Sequence, residues 1–557
     1  MIKRFALPYR ARRSRMSRLI ALLMSGAMLS GCAVGPDYFG TPITLPTGWG
    51  NAKAASPKQV TLAHWWNRLG DQTLNALIEE AVQNNIDVAS AKARIREARA
   101  TRRQAIGALL PLVDGSGSAT YNRSASSTSG GIATAPFTYN QFQSGFDSSW
   151  ELDLFGANRR AVESATYGVD AAEDDLRSTL LTLVGDVASN YAEMRGYQAR
   201  IALARRTAAS QRQTAQLTQQ KFDAGSASAV DAAKAAGLAA TTESNIPTYE
   251  VSYAEAVHRI GVLLGREPTA LAQSLRSVVR IPAPRLPLPT GIPADVLVQR
   301  PDVRKAERQY AQYTAKVGQA EAALYPSVSL TGSVSTTGLN VGDIGKASSI
   351  GWSIGPSISV PIFNGGKLRA AVDIAGAQRD QYYLAWRASV LTALEDVENA
   401  LVSLAQERIK IKRLAEASRR YGEAARLSRA LYTSGSTSFL EALDAERSAY
   451  TADDNLIVSR VAIATSYIAL AKALGGGWDG GIDSSMPAVI DVNTGPHIVA
   501  GESAEVIQPL LTPRSRRAAP APATWAAAAF LPCNQPVPRA LSLDSRDLQG
   551  QTWLTIQ

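Results

Sequence analysis

The sequence of 557 residues is poor in the residue types that most often carry catalysis. It contains three histidines, in unrelated contexts (His64, His258 and His497), and only two cysteines, Cys32 and Cys533. It also lacks the lysine of a phosphate-binding P-loop. These scarcities argue against an enzyme, and we expect no catalytic residue, no metal site and no bound cofactor.

Acidic residues are missing from the first 31 positions, where seven lysines and arginines occur. Most of the formal net charge of +10 therefore belongs to this one segment. Elsewhere we find no basic patch interleaved with aromatic residues, which is the pattern expected of a nucleic-acid surface. We expect no nucleic-acid partner.

The basic segment is followed by a short apolar run, Leu19–Leu29, and then by Leu29-Ser30-Gly31-Cys32. The run is too short for a membrane-spanning helix, which needs about 20 residues. The pattern predicts a signal peptide over residues 1–31, with translation beginning at Met1 or at Met16. The last four residues resemble a bacterial lipobox, which implies that Cys32 carries a covalent lipid. Ala33 in place of aspartate resembles lipoproteins that are sent to the outer membrane.

Proline is absent between Phe137 and Ile246, and again between Ile362 and Met486. Within these stretches the apolar residues follow the helical period, so long helices are predicted at about 157–265 and 367–475. A helix of roughly 60 residues would be about 90 Å long.

Two segments instead alternate apolar and small or polar residues. In Ile350–Phe363 the apolar parity includes Trp352, Ile354 and Ile358, and in Phe142–Phe155 it includes Phe146 and Trp150. Strict alternation predicts strands with one apolar face. A run of about 14 residues exceeds the usual globular strand of about 5–6, whereas about 9–11 residues suffice to cross a bilayer. We predict that these five side chains face lipid.

Less regular partners upstream complete two hairpins, at about 112–155 and 326–363. Strands with apolar and polar faces suit a membrane barrel with a wet lumen. Four strands are too few to close a barrel, and an open sheet edge is not tolerated in lipid. If the strands span a membrane, several copies must therefore share one barrel. The composition leaves two, three or four copies open.

An internal repeat covers most of the chain. Asp87–Ser118 aligns with Asp302–Ser333, and Lys221–Ala236 aligns with Leu431–Glu446. We therefore divide the chain into a signal peptide (1–31), an extended arm (32–60), a first repeat (61–280), a proline-rich linker (281–300), a second repeat (301–478), and an Ala/Pro/Ser-rich tail that we expect to be disordered (479–557).

Six segments between Cys32 and Trp478 carry a family resemblance: LSGCAVGPDY, RPDVRKAER, LYPSVSLTGS, VPIFNGGKLRA, SGSTSFLEALDAER and ALGGGW. The chain resembles the TolC-type outer-membrane factors, in the NodT-like lipoprotein branch that serves RND-type efflux systems. The resemblance implies an α+β membrane protein that is a homotrimer. Its 12-stranded outer-membrane β-barrel, with four strands per chain, would be continued by a periplasmic α-helical barrel of coiled coils.

The resemblance also implies a passive exit duct for small molecules such as drugs or toxic compounds, working with a periplasmic adaptor and an RND-type inner-membrane pump. The turns between the long helices would then be the tips that contact the adaptor. Their residues are Phe222, Gly225 and Ser226 in the first repeat and Tyr432, Gly435 and Ser436 in the second. Glycine and serine are equally explained by local turn chemistry.

Leu440, Asp444 and Arg447 match the family's gate motif at the start of the last helix. Their spacing of 4 and 3 residues places them on one helix face. The first repeat has Lys234 where the second has Asp444. An ordinary solvated helix face would show the same spacing.

Three other functions fit the same sequence features. The alternatives are a porin-like lipoprotein without partners, a scaffold that spans the periplasm, and the outer-membrane component of a type I protein secretion system.

Overall fold

A computed structural model describes residues 33–40, 45–46, 48–50, 62–125, 127–129, 132–285, 300–477 and 483–484. Several sequence predictions concern residues outside these ranges. They are the signal peptide, the lipid on Cys32, most of the linker, and the tail apart from residues 483–484. Trp478, at the end of the family motif, also lies outside them.

The first repeat begins with a 3₁₀ turn over Trp65–Leu69 and two short helices. Its elements are α1 (Gln72–Asn84), α2 (Ile86–Gly107), β1 (Leu112–Arg123), β2 (Ser127–Ser129), β3 (Ile132–Thr134), β4 (Thr138–Leu152), α3 (Ala157–Asp223) and α4 (Ala229–Leu263). β2 and β3 pair only with each other, in the loop between β1 and β4.

From α2 onwards, the second repeat follows the first in its main elements: a helix, a hairpin of two long strands, a long helix and a returning helix. Its elements are α5 (Pro301–Ala322), β5 (Ser327–Gly338), two 3₁₀ turns (Val341–Asp343 and Ala347–Ser349), β6 (Ile350–Ser359), α6 (Lys367–Thr433) and α7 (Phe439–Ala473). α3 and α6 each have 67 residues, and α4 and α7 each have 35. Each helix of the second pair begins 210 residues after its counterpart in the first. At 1.5 Å per residue the long helices reach about 100 Å.

Polar side chains set the ends of the short helices. Asp71 precedes α1 and accepts hydrogen bonds from the backbone N–H groups of Thr73 and Leu74. Asn85 ends α1, accepts from the N–H of Val88 at the start of α2, and donates to the carbonyl of Leu263 at 2.8 Å. Capping of this kind satisfies backbone groups that a helix end leaves unpaired.

The four long strands form one antiparallel sheet in the order β1-β4-β5-β6. The two predicted hairpins therefore lie side by side, joined where β4 pairs with β5. β1 and β6 are the edges. Pro356 lies in β6, as expected for an edge strand, because proline cannot donate a ladder hydrogen bond.

β6 is shorter than the sequence pattern predicted. The alternation extends to Phe363, but the strand ends at Ser359 and residues 360–364 have no regular structure. Pro361 has no N–H, and the chain then turns through Gly365 and Gly366, both with positive φ, into α6. Alternation therefore continues in the sequence after sheet pairing has ended.

The main apolar core lies about halfway along the long helices. Buried side chains from α1, α2, α3, α4, α6 and α7 form one cluster there, together with Trp65 and Trp66. The indole N–H of Trp65 donates to the carbonyl of Gly476 at 3.0 Å, which ties the beginning of the first repeat to the end of the second.

Among the described residues, α7 is the one helix that is long and apolar enough to cross a membrane by length and composition. Half of its most apolar window is buried inside the chain. A core helix meets the same criteria, so we assign α7 to the helical part of the protein.

Candidate functional site

The sheet aligns the apolar side chains of neighbouring strands in rows. Phe146 of β4 lies opposite Val334 of β5, which lies opposite Trp352 of β6. Trp352 is 74% exposed, and Ile358 at the end of the strand is also well exposed. A broad apolar face is thus uncovered in the single chain, as a lipid-facing surface requires.

The remaining two of the five side chains predicted to face lipid, Ile354 and Trp150, have different surroundings from each other. Ile354 lies opposite Gly332, near the middle of both strands, and is exposed. Trp150 is half-buried, and its indole N–H donates to the carbonyl of Leu109 at 2.9 Å. Trp150 therefore joins the sheet to the end of α2. Contact of these side chains with lipid stays a prediction.

The opposite face of the sheet is polar. Asp114 of β1 lies directly across from Asp147 of β4, and Asp147 lies across from Ser333 of β5. The hydroxyls of Ser333 and Ser353 are 2.9 Å apart. Two carboxylates in direct register repel one another unless water surrounds them. This face is therefore suited to a wet lumen.

Sequence reasoning missed a clamp on the N-terminal arm. The Arg160 side chain, only 4% exposed, pairs with Asp37 and with Glu163, each at 2.7 Å. It also donates to the carbonyls of Val34 and Gly35.

These contacts of Arg160 hold the arm beside the segment between the end of β4 and the start of α3. The N–H of Val34 donates to the carbonyl of Phe155 at 3.1 Å. Further along the arm, the Tyr38 hydroxyl donates to Glu307 at 2.8 Å, and its ring meets those of Tyr167 and Tyr310 edge-on.

Both turns between long helices have the same construction. Gly225 and Gly435 adopt positive φ values of 75° and 79°, which favour glycine. The N–H groups of Ser226 and Ser436 fold back to the carbonyls of Lys221 and Leu431. A serine then caps the following helix in each repeat.

The two turns lie side by side because Tyr432 connects them. Its carbonyl accepts from Lys221 Nζ at 2.5 Å, that ammonium lies 4.1 Å from its ring centroid, and its hydroxyl donates to Thr218 at 2.9 Å. Its ring packs against Phe439.

Tyr432 requires a correction. Its side chain is only 4% exposed, so it is unavailable to a partner at the tip, where we had expected it. Phe222, at the equivalent position of the first repeat, is exposed. The aromatic residue of the second repeat instead packs between the long helices of the two repeats.

The predicted gate residues occupy one exposed face of α7. Leu440 is well exposed, and Asp444 and Arg447 line a surface cleft of about 370 Å³ together with Tyr421 and Asn455. Among the described residues neither Asp444 nor Arg447 has an ion-pair partner.

A buried polar contact one residue away was missed. Glu446 of α7 is almost fully buried and accepts hydrogen bonds from Thr214 of α3 at 3.1 Å and from Arg429 of α6 at 2.7 Å. The alignment of the two repeats contained one indication of this contact, because Glu446 stands where the first repeat has Ala236. A charge that replaces alanine at a helix–helix contact requires a partner.

A second polar contact joins the same helices further from the tips. Arg200 of α3 pairs with Asp454 of α7 at 2.7 Å and lies over the Tyr249 ring at 4.1 Å. Burial alone would lower the pKa of Arg200, but the hydrogen bond and charge of Asp454 raise it. Burial, followed by the hydrogen bond to Tyr249, raises the pKa of Tyr450. Arg200 and Tyr450 thus keep their charge states throughout the physiological range.

No group of three or more His, Cys, Asp or Glu side chains in the described part of the chain could hold a metal ion.

Comparison with known proteins gives consistent results. Residues 77–266 and 292–476 match the outer membrane efflux protein family. Nodulation protein T of Rhizobium leguminosarum bv. trifolii is 36% identical over 453 residues, which cover 81% of this chain and 96% of that protein. Cation efflux system protein CusC of Escherichia coli strain K12 is 30% identical over 462 residues, covering 81% and 97%.

Among solved structures, the outer-membrane channel OprN superposes with a TM-score of 0.75 at 35% sequence identity. The match covers 80% of this chain and all of that chain. The long helices and the four-stranded sheet are thus shared with an outer-membrane channel.

Proposed function

The chain belongs to the outer membrane efflux protein family, and from this we propose that it forms the exit duct of a tripartite efflux pump in the outer membrane. The duct conducts small molecules such as drugs or toxic compounds passively. Energy comes from an inner-membrane pump of the RND type, linked to the duct by a periplasmic adaptor. Three copies of the chain share one barrel.

The sheet carries this proposal. It has one exposed apolar face, one polar face and two unpaired edges, β1 and β6. In hydrocarbon each unpaired backbone group costs several kcal/mol, so the edges must pair with other strands. Single-chain barrels begin at about eight strands, and three copies supply twelve. Pairing of β6 in one copy with β1 in the next closes the sheet.

We further propose that Cys32 carries the lipid anchor. Support comes from the arm, which Arg160 and Phe155 hold beside the end of β4. Cys32 directly precedes Ala33 and lies two residues before Val34, the first residue that the clamp holds. Acyl chains that begin there would enter the periplasmic leaflet next to the sheet.

Leu440, Asp444 and Arg447 are proposed to form the gate at the periplasmic end. Asp444 and Arg447 are exposed and lack partners among the described residues, so their partners would come from other copies. Three aspartates near one axis repel, and Arg447 of neighbouring copies would relieve that repulsion. We propose that the adaptor contacts the tips of the long helices through the remaining predicted residues: Phe222, Gly225, Ser226, Gly435 and Ser436.

The proposal is tested with purified full-length protein. Native mass spectrometry should give a mass of three chains, and insertion into planar bilayers should give discrete conductance steps. In cells, deletion of the gene should sensitise the host to toxic compounds only while the adaptor and pump genes are intact. A monomeric protein without conductance would refute the duct. Sensitisation that persists without adaptor and pump would favour a partner-independent porin.

A further inference from the structure

A cleft of about 390 Å³ lies between α2, α3 and α5, and this volume is within the range of small-molecule sites, about 300–1,000 Å³. On α3 its lining extends from Ala165 to Asp175, so the cleft is about 15 Å long. Asp175 pairs with Arg94 of α2 at 3.4 Å and with Lys305 of α5 at 2.7 Å, which fixes both walls to α3. We call this the first-repeat cleft.

The second repeat fills the equivalent space with two aromatic rings. Ala98 of α2 and Ala172 of α3 line the first-repeat cleft. α5 begins 215 residues after α2, and α6 begins 210 residues after α3, so their counterparts are Tyr313 and Tyr382. These two rings stack with centroids 3.9 Å apart, and their hydroxyls are 3.3 Å apart. The first repeat thus leaves open a space that holds a pair of phenol rings in the second.

Cations stand beside this space in both repeats. In the second repeat Lys316 Nζ lies 3.9 Å from the centroid of the Tyr313 ring. The counterpart of Lys316 is Thr101, which lines the first-repeat cleft and carries no charge. There the cations come from Arg94 and Lys305 instead, and both side-chain types are attracted to the face of an aromatic ring. None of the described residues that line the cleft is aromatic.

The polar lining favours a neutral ligand that can form hydrogen bonds. The charged side chains of the cleft sum to no net charge: Arg94, Glu97, Asp175 and Lys305. Gln309 and Gln312 of α5 add amide groups, which both donate and accept hydrogen bonds. A hydroxyl group on a flat ring matches these partners, as the tyrosine hydroxyls match one another in the second repeat.

The first-repeat cleft opens away from the N-terminal arm. On α5 the arm contacts Glu307 and Tyr310 through Tyr38, whereas Lys305 and Gln309 line the cleft. At about 100° of rotation per residue, these two sets point to nearly opposite sides of the helix. The arm leads to the proposed lipid anchor and therefore lies on the outer surface of the duct, so the cleft faces the interior.

We propose that the first-repeat cleft binds small planar phenols as they pass through the duct. The ligand takes the place that the Tyr313 and Tyr382 rings occupy in the second repeat. This inference rests on the proposed duct and assigns one class of cargo to it. Because the cleft has no aromatic wall among the described residues, binding is weak, and weak binding allows the release that conduction requires.

The test is equilibrium dialysis of labelled 2-naphthol, a planar phenol of two fused rings, against the full-length protein in detergent. Ala98→Tyr with Ala172→Tyr gives the first repeat the residues of the second and fills the cleft. The wild-type protein should bind one equivalent per chain more than this filled variant, which also corrects for partition into detergent. Ala98→Ser with Ala172→Ser is the matched control, because it changes the same positions but keeps them small, and it should bind as the wild type does.

A second variant keeps the test decisive if the two tyrosines prevent folding. Gly168 lines the cleft, and the Gln312 amide lies 3.1 Å from the position that a Cβ would take there. Its counterpart in the second repeat is Gln378. Gly168→Gln should therefore displace Gln312 into the cleft and weaken binding severalfold. Decahydro-2-naphthol has the same skeleton without a flat ring, and it should compete about fivefold more weakly than unlabelled 2-naphthol.

Each outcome bears on the cleft or on the duct. Equal binding by the wild-type protein, the filled variant and Gly168→Gln, in trimers that conduct, would overturn the cleft and leave the duct intact. Loss of binding in the serine control would overturn it as well, because the space is kept. Equal competition by decahydro-2-naphthol would overturn the choice of planar phenols. Absence of any trimer by native mass spectrometry would refute the duct itself.

Discussion

An arginine at Ile354 gives the sharpest test of which sheet face meets lipid. Ile354 lies mid-strand in β6, opposite Gly332 in β5, and is exposed in the single chain. Ten residues rising about 3.4 Å each span about 34 Å, and a tilt near 45° reduces this to about 24 Å across the membrane. Ile354 would thus lie close to the middle of the bilayer.

The expected cost follows from that depth. A lipid-facing arginine at mid-bilayer destabilises a barrel by roughly 2–4 kcal/mol. Three copies share one barrel, so the trimer loses about 6–12 kcal/mol, which is comparable with the whole stability of a typical domain. We expect Ile354→Arg to deplete the protein from the outer-membrane fraction and to abolish the trimer band in unheated gels.

Ser353→Arg is the matched control, because Ser353 is the next residue on the other parity. It loses one exposed hydrogen bond to Ser333, worth about 1 kcal/mol, and its guanidinium would enter a wet lumen. We expect near-normal amounts of trimer. Equal loss at both positions would refute the assignment of faces, and loss at Ser353 alone would reverse it.

Three further predictions concern the anchor, the gate and the ion pair between Arg300 and Asp302 at the start of α5, which is 2.7 Å long. Cys32→Ser should abolish incorporation of labelled fatty acid, and persistent labelling would contradict lipidation at this residue. Arg447→Ala and Leu440→Ala should each raise single-channel conductance while leaving the trimer intact; unchanged conductance in both would locate the constriction elsewhere. Burial alone would raise the pKa of Asp302, but its hydrogen bonds from Arg300 hold that pKa below its usual value. This contribution to stability is complete above the unfolded pKa of about 3.9 and is lost as the pH falls through the lower folded value. Asp302→Asn should therefore lower the melting temperature at pH 7 and weaken its dependence on pH in the acidic range, measured by circular dichroism in detergent.

The sequence alone determined the fold class and the order of elements. Helical periodicity without proline, from Ala157 to Asp223 and from Lys367 to Thr433, suffices for two very long helices, because each backbone bond closes within four residues. Strand parity likewise assigned Phe146 and Trp352 to one sheet face, because successive side chains point to opposite sides.

Tertiary structure decided what each of these faces contacts. Local periodicity indicates an apolar face but does not identify the element that covers it. The burial of Tyr432 between the long helices of the two repeats could therefore not be predicted from the sequence. The same holds for Glu446, whose partners Thr214 and Arg429 are distant in sequence. The end of β6 at Ser359 also depended on pairing with β5, because a strand extends only as far as its partner supports it. Sequence therefore sets periods and faces, and packing between distant segments sets partners and ends.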